Sequence, residues 1–152
     1  MSQTKIYTDG SCIPTKNNLG AWVSIIFVEA KKTILKGVVE NTTHNRMELT
    51  AAIECLQYLI DKNIAVEKIV IYTDSQYVAQ IEQRKEKLKK QNFISGKGTP
   101  IQNADLVKKL IHLIEELQPE FVKVKAHQKK TEIENFNREA DMLVRKLARK
   151  NF

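Results

Sequence analysis

The sequence predicts an α/β fold built on a mixed sheet, on three grounds. The chain opens with three apolar runs separated by short polar joins; a long stretch follows with apolar residues at intervals of three and four; thereafter β-branched runs alternate with helical stripes. The order read from this pattern is β-β-β-α-β-α-β-α, with antiparallel strands first and parallel additions after the first helix.

The first three strands are expected at about Thr4 to Cys12, Ala21 to Glu29 and Lys32 to Val39, where the short joins suit a meander. From Asn45 onward, Leu49, Ala52, Ile53, Leu56, Leu59 and Ile60 form the stripe of a helix buried on one side, with Asn45 and Glu48 as a capping pair at its start. Val66 to Tyr72 is β-branched and follows a helix, so a right-handed crossover should lay it parallel to an earlier strand. Ser75 to Lys90 reads as a helix whose apolar stripe is lost after Ile81. Phe93 to Pro100, with Gly96 and Gly98, reads as a surface excursion. Leu106, Leu110, Leu113, Ile114 and Leu117 mark a further helix, with His112 a structural residue within it. Phe121 to Lys125 is a strand, and Ala140, Val144, Leu147 and Ala148 mark a terminal helix.

At 152 residues the chain fits one domain over 1–152, large enough to bury a core without disulfide or metal staples. No 20-to-50-residue repeat or low-complexity linker divides it. Lys and Arg number 25 against 18 Asp and Glu, and the net charge of +7 favours a polyanionic partner. Cys12 and Cys55 stand alone and a polar Met1 to Lys5 opens the chain, so a reducing cytoplasm, no disulfide and a monomer are expected. The longest apolar stretch, Ala21 to Val28, is broken by Ser24 and is too short to span a bilayer.

The string Ile-Tyr-Thr-Asp occurs twice, at Ile6 to Asp9 and at Ile71 to Asp74. Alternation puts Tyr7 with Asp9, and Tyr72 with Asp74, on one face of each strand, so neighbouring strands would bring the two carboxylates together. Taken singly, each Asp could merely start a turn with the Ser that follows. Two aspartates in contact, however, cannot both stay ionised without a cation nearby. Glu48 and Asp141 extend the pattern, each expected at a helix start and each beside its helix's apolar stripe. Four oxygen donors suit magnesium or manganese; zinc would need the histidines and cysteines, which are scattered. His127 begins a polar loop leading toward Asp141, where it could serve as a mobile proton carrier.

Tyr-Thr-Asp-Gly-Ser-Cys at 7–12, Asn-Arg-Met-Glu-Leu at 45–49, Tyr-Thr-Asp-Ser-Gln-Tyr at 72–77, Ala-His at 126–127 and Asn-Arg-Glu-Ala-Asp at 137–141 run in one order over nearly the whole chain. Together they make the sequence resemble type 1 ribonuclease H. The resemblance implies a ribonuclease H-like fold, a five-stranded mixed sheet flanked by helices, and endonucleolytic hydrolysis of the RNA strand of RNA/DNA hybrids. It implies Asp9, Glu48, Asp74 and Asp141 as ligands of two Mg²⁺ ions, with Mn²⁺ able to replace them, and His127 as the flexible histidine of proton movement or product release. Ends with a 5′-phosphate and a 3′-hydroxyl would result, without a covalent enzyme intermediate.

The resemblance also implies substrate contacts. Cys12, Asn45 and Gln76 match residues that read the 2′-hydroxyl of the RNA strand, and His44 stands where many members have Asn. Thr43, Asn103 and Arg46 match positions that hold a phosphate of the DNA strand. Arg84, Lys85, Lys87, Lys89 and Lys90 match the basic protrusion of cellular members, though without its usual tryptophans. The first loop, Ile13 to Gly20, departs from the usual Gly-Pro-rich turn; the His127 loop is lengthened by Lys129 and Lys130; no separate hybrid-binding domain is expected. Two alternatives remain open at this point. A DNA-acting integrase- or resolvase-like nuclease would share the strand-end aspartate but not the Asn45 and Gln76 surroundings, and a non-catalytic hybrid-binding module would not need all four acids.

Overall fold

The computed structural model describes residues 3–125 and 132–150, with the side chains at 132–135, 137 and 150 outside that description. Strands β1 (Gln3–Ile13), β2 (Leu19–Val28) and β3 (Lys31–Val39) form the antiparallel meander. β4 (Lys68–Thr73) joins the other side of β1 in parallel and β5 (Glu120–Lys123) follows it in parallel, giving the order β3-β2-β1-β4-β5. The turn into β2 carries Asn17 and Asn18 at φ of 57° and 52°, a left-handed backbone that Asn tolerates better than most residues.

Two apolar layers flank the sheet. On one face Ile6, Ile26 and Ile71 meet Leu49, Leu56 and Leu59 of α1 (His44–Asp61), against which Leu110 and Ile114 of α4 (Ala104–Leu117) also pack. On the other, Tyr7, Val23, Ile25 and Tyr72 meet Ala140, Val144 and Ala148 of α5 (Glu132–Lys150). Alternation along β1 thus sends Ile6 one way and Tyr7 the other.

The helix starts differ from the sequence expectation in two places. α1 is capped by Thr43, whose extended backbone lets its Oγ1 accept from the Arg46 N–H at 3.2 Å. Asn45 and Glu48 do not form the cap: Glu48 is 2 % exposed and its Oε2 lies 3.8 Å from His44 Nε2. α5 begins at Glu132, so Asp141 lies in its third turn and not at its opening. The apolar spacing is legible only from Ala140 onward, and the one large apolar side chain described before it, Phe136, packs on the Phe27 ring at 4.6 Å between centroids. Residues 75–90 divide at Gln80 into α2 (Gln76–Ala79) and α3 (Ile81–Lys90). His112 is exposed on α4 with Glu116 at 3.7 Å, off the apolar stripe and not part of the core.

Gly10 decides how closely α1 approaches β1. A Cβ there would lie 2.5 Å from both the Glu48 nitrogen and the Met47 carbonyl carbon, and neither backbone atom can swing aside. Gly10→Ala is therefore expected to cost about 1–3 kcal/mol through overpacking and to push Glu48 off its position. A thermal melt together with a cleavage assay would check this; unchanged melting with full activity would contradict it.

Candidate active site

β1 and β4 pair with Ile6 opposite Ile71 and Tyr7 opposite Tyr72, so the two copies of the repeated string lie side by side in register. The two tyrosine rings stack at 4.9 Å and 12°, locking that register on the α5 side of the sheet. Two residues beyond each tyrosine come Asp9 and, just past the end of β4, Asp74. α1 brings Glu48 to the same place, and carboxylate oxygens of Asp9, Glu48 and Asp74 all lie within 4.8 Å of one another. Asp141, on α5, is not one of these three, but it is close enough to Asp9 for its charge to act there, while its Oδ1 accepts from Arg145 Nε at 3.2 Å.

The cluster is electrostatically uncomfortable without a counter-charge. Burial, then the charges of Asp74 and Asp141, drive the Asp9 pKa well above the usual carboxylate range; the Gly10 N–H, donating to Asp9 Oδ1 at 3.0 Å, opposes this only in part. Burial, then Asp9 and Asp74, likewise drives Glu48 upward. Glu48 Oε1 is buried and finds no hydrogen-bond partner in the structure, a cost that native proteins rarely leave uncompensated. Clustered oxygen donors with one orphaned lone-pair site fit a hard divalent cation. The chain thus supplies oxygen ligands that a divalent cation would accept.

The residues expected to meet substrate fall in three places. Thr43, His44, Asn45 and Asn103 line one groove of about 350 Å³ at the start of α1, together with Gln102. Gln102 was not predicted; it belongs to an aperiodic segment that carries no sequence signal. Cys12, at the end of β1, donates its Sγ to the Thr42 carbonyl at 3.4 Å, and Gln76 is exposed at the first residue of α2, two positions after Asp74. Arg46 forms a bidentate pair with Asp105 at 3.0 and 2.8 Å and reaches Asn103 Oδ1 at 3.3 Å. Asp105 was also missed, being one first-turn acid among others. Lys87, Lys89 and Lys90 are exposed on α3, where Lys89 is tied to Glu115 of α4 at 2.7 Å. His127 lies outside the described residues. Cys12 and Cys55 are both free, and among the described residues no helix is long and apolar enough to cross a membrane.

A carboxylate cluster at the ends of two parallel central strands is an arrangement that could hold a divalent cation, and the same chain carries a polar groove and a helix of exposed lysines. The RNase H family model matches residues 1–149, and the chain belongs to that family. It is 38% identical over 125 residues to the Ribonuclease H of Thermoanaerobacter sp. (strain X514), covering 81% of this chain and 77% of that protein. It is 30% identical over 147 residues to the Ribonuclease H of Moorella thermoacetica, covering 95% and 91%. Among solved structures, LC9-RNase H1, a type 1 RNase H with the type 2 active-site motif, aligns with a TM-score of 0.83 at 20% identity over 100% of this chain and 74% of that one. The foamy-virus (PFV) RNase H domain aligns with a TM-score of 0.75 at 22% identity, covering 96% and 94%. These two likenesses bear on the fold, which is the ribonuclease H-like mixed sheet expected from the sequence.

Proposed function

We propose that this RNase H family member is an endonuclease that hydrolyses the RNA strand of RNA/DNA hybrids, with Asp9, Glu48, Asp74 and Asp141 as ligands of two Mg²⁺ ions, replaceable by Mn²⁺. The observation that carries the metal assignment is the cluster of Asp9, Glu48 and Asp74 within 4.8 Å, with one Glu48 oxygen left without a partner. When bound, such ions activate a water and stabilise the leaving 3′ oxygen, giving 5′-phosphate and 3′-hydroxyl ends. Asp9, within reach of the charges of both Asp74 and Asp141, would hold a cation together with them. Glu48, held rigidly by α1 against β1, presents its oxygen without a search through rotamers. His127 is assigned to proton movement or product release. Cytoplasmic location and a monomeric state complete the reading.

Cys12, His44, Asn45 and Gln76 are assigned to the RNA strand, where small polar groups can recognise a 2′-hydroxyl. Thr43, Arg46 and Asn103 are assigned to a DNA-strand phosphate, Arg46 acting from behind its pair with Asp105. The deciding experiment is a gel assay on end-labelled hybrid, duplex RNA and duplex DNA, with and without Mg²⁺. Metal-dependent cleavage confined to the RNA of the hybrid is expected; cutting of duplex DNA, or hybrid binding without cleavage, would overturn the reading.

The protrusion lysines should not be equivalent. Lys87 and Lys90 form no ion pair among the described residues, whereas Lys89 already serves Glu115. Replacing Lys87 or Lys90 by Ala should lower the salt-dependence slope of hybrid binding by about one unit for each phosphate that is no longer neutralised, and Lys89→Ala by less. Anisotropy titrations across a salt series would show it. Equal slopes for all three variants and the parent would remove α3 from the substrate face.

A further inference from the structure

We propose that Asp105 is a positioning residue for hybrid binding: by holding Arg46 it fixes the side-chain amide of Asn103 with its carbonyl engaged and its NH2 left to donate to a phosphate. This rests on the assignment of Asn103 to a DNA-strand phosphate and adds the residue that aims it.

The geometry is specific. Arg46 Nη1 and Nη2 donate to Asp105 Oδ1 and Oδ2 at 3.0 and 2.8 Å, the fork-to-fork arrangement that fixes a guanidinium plane. From that fixed plane Nη1 also donates to Asn103 Oδ1 at 3.3 Å. An amide has one acceptor oxygen and one NH2, so engaging the oxygen leaves the NH2 to be offered elsewhere. That NH2 lies 3.5 Å from the Tyr77 hydroxyl, a long contact that a phosphate oxygen could replace.

Besides Arg46, the long Tyr77 contact is the other hydrogen bond of this side chain among the described residues. Asn103 precedes α4 at φ 59°, ψ 29°, and makes no capping bond to the helix. Turned about, it would offer its carbonyl in place of the NH2 and repel a phosphate. Because Arg46 is matched by Asp105, the groove lined by Thr43, His44, Asn45, Gln102 and Asn103 depends on neutral donors, whose direction matters more than the reach of a free cation. The pair also links the first turns of α1 and α4. The Asp105 carboxyl is held down at about 2, chiefly by its hydrogen bond from Arg46, so the pair stays ionised through the neutral range.

Asp105 is largely exposed, its side chain 65% accessible, and exposed ion pairs add little to stability, so its loss should leave the fold intact. The experiment compares Asp105→Asn, Asp105→Glu, Asn103→Ala and the Asp105→Asn/Asn103→Ala double variant, reading KM and kcat on hybrid in Mg²⁺ and the melting temperature. Asp105→Asn should raise KM about 3- to 10-fold, the size of one weakened charge-assisted hydrogen bond, with kcat within about twofold and melting almost unmoved. Asp105→Glu should recover part of the loss, and the double variant should bind no worse than Asn103→Ala alone. Raised KM in Asn103→Ala with a neutral Asp105→Asn would overturn the role of Asp105 only. Losses that multiply in the double variant would also overturn it, since Asp105 would then act by another route. A neutral Asn103→Ala would overturn the assignment of the groove and this proposal with it.

Discussion

Asp9→Asn should abolish hydrolysis and at the same time raise the melting temperature of the metal-free protein. The activity loss is expected to be on the order of 10³-fold or more, because Asp9 is the acid on which both Asp74 and Asp141 act and a proposed ligand of the catalytic cation. The stability gain follows from the same crowding. An Asn keeps the oxygen that accepts from the Gly10 N–H and offers an NH2 to a neighbouring carboxylate at every pH, where Asp9, at a 5 %-exposed position, avoids repulsion only by retaining a proton that the unfolded chain would release. Asp74→Asn should lose comparable activity with a smaller stability gain, because Asp74 is only partly buried. Cleavage rates and melts in chelator would test both variants. Retained turnover would remove Asp9 from the proposed metal site, and a lower melting temperature for Asp9→Asn would show that the cluster is not strained.

How much of this could be read from the chain depends on whether the information is periodic. The repeated Ile-Tyr-Thr-Asp announced two strands ending alike, and parallel pairing of β1 with β4 in matching register follows because Ile6, Tyr7, Ile71 and Tyr72 need the same two apolar faces. Glu48 was legible because it stands beside a clear 3.6-residue stripe. The place of Asp141 within α5 was not legible: the turns before Ala140 carry almost no apolar residue, and the helix gains its anchorage there from Phe136 against Phe27 and Tyr7. The Thr43 cap was obscured by Asn45 and Glu48, which mimic a capping pair while the buried glutamate is committed to the carboxylate cluster. Gln102 and the Asp105–Arg46 pair were not legible. They depend on the path of residues 91–103 and on a contact between positions 59 residues apart, which no local pattern encodes.

The metal-free protein should lose stability as pH rises from about 4 toward and beyond neutrality, and Mg²⁺ should restore it most at the alkaline end. Asp9 and Glu48 both have folded-state pKa values raised above those of the unfolded chain. Below the ordinary carboxylate pKa of about 4 both states are protonated and the cluster costs nothing. Above it the unfolded chain releases these protons while the folded protein retains them, so the folded state binds more protons and its stability falls with pH until the folded pKa values are passed. A carboxyl whose folded pKa is raised by one costs about 1.4 kcal/mol of stability once it is forced to ionise. Other groups also titrate, so the measurement is a difference: the pH dependence of melting for the parent against an Asp9→Asn/Glu48→Gln variant, each with chelator and with Mg²⁺. The parent alone should show the alkaline loss, and its Mg²⁺-induced rise should grow with pH, because a cation bound only by the folded protein competes with protons for the same oxygens. Parallel curves for parent and variant would mean that the carboxylates are not strained, and a Mg²⁺ response of equal size in the variant would place the ion elsewhere on the molecule.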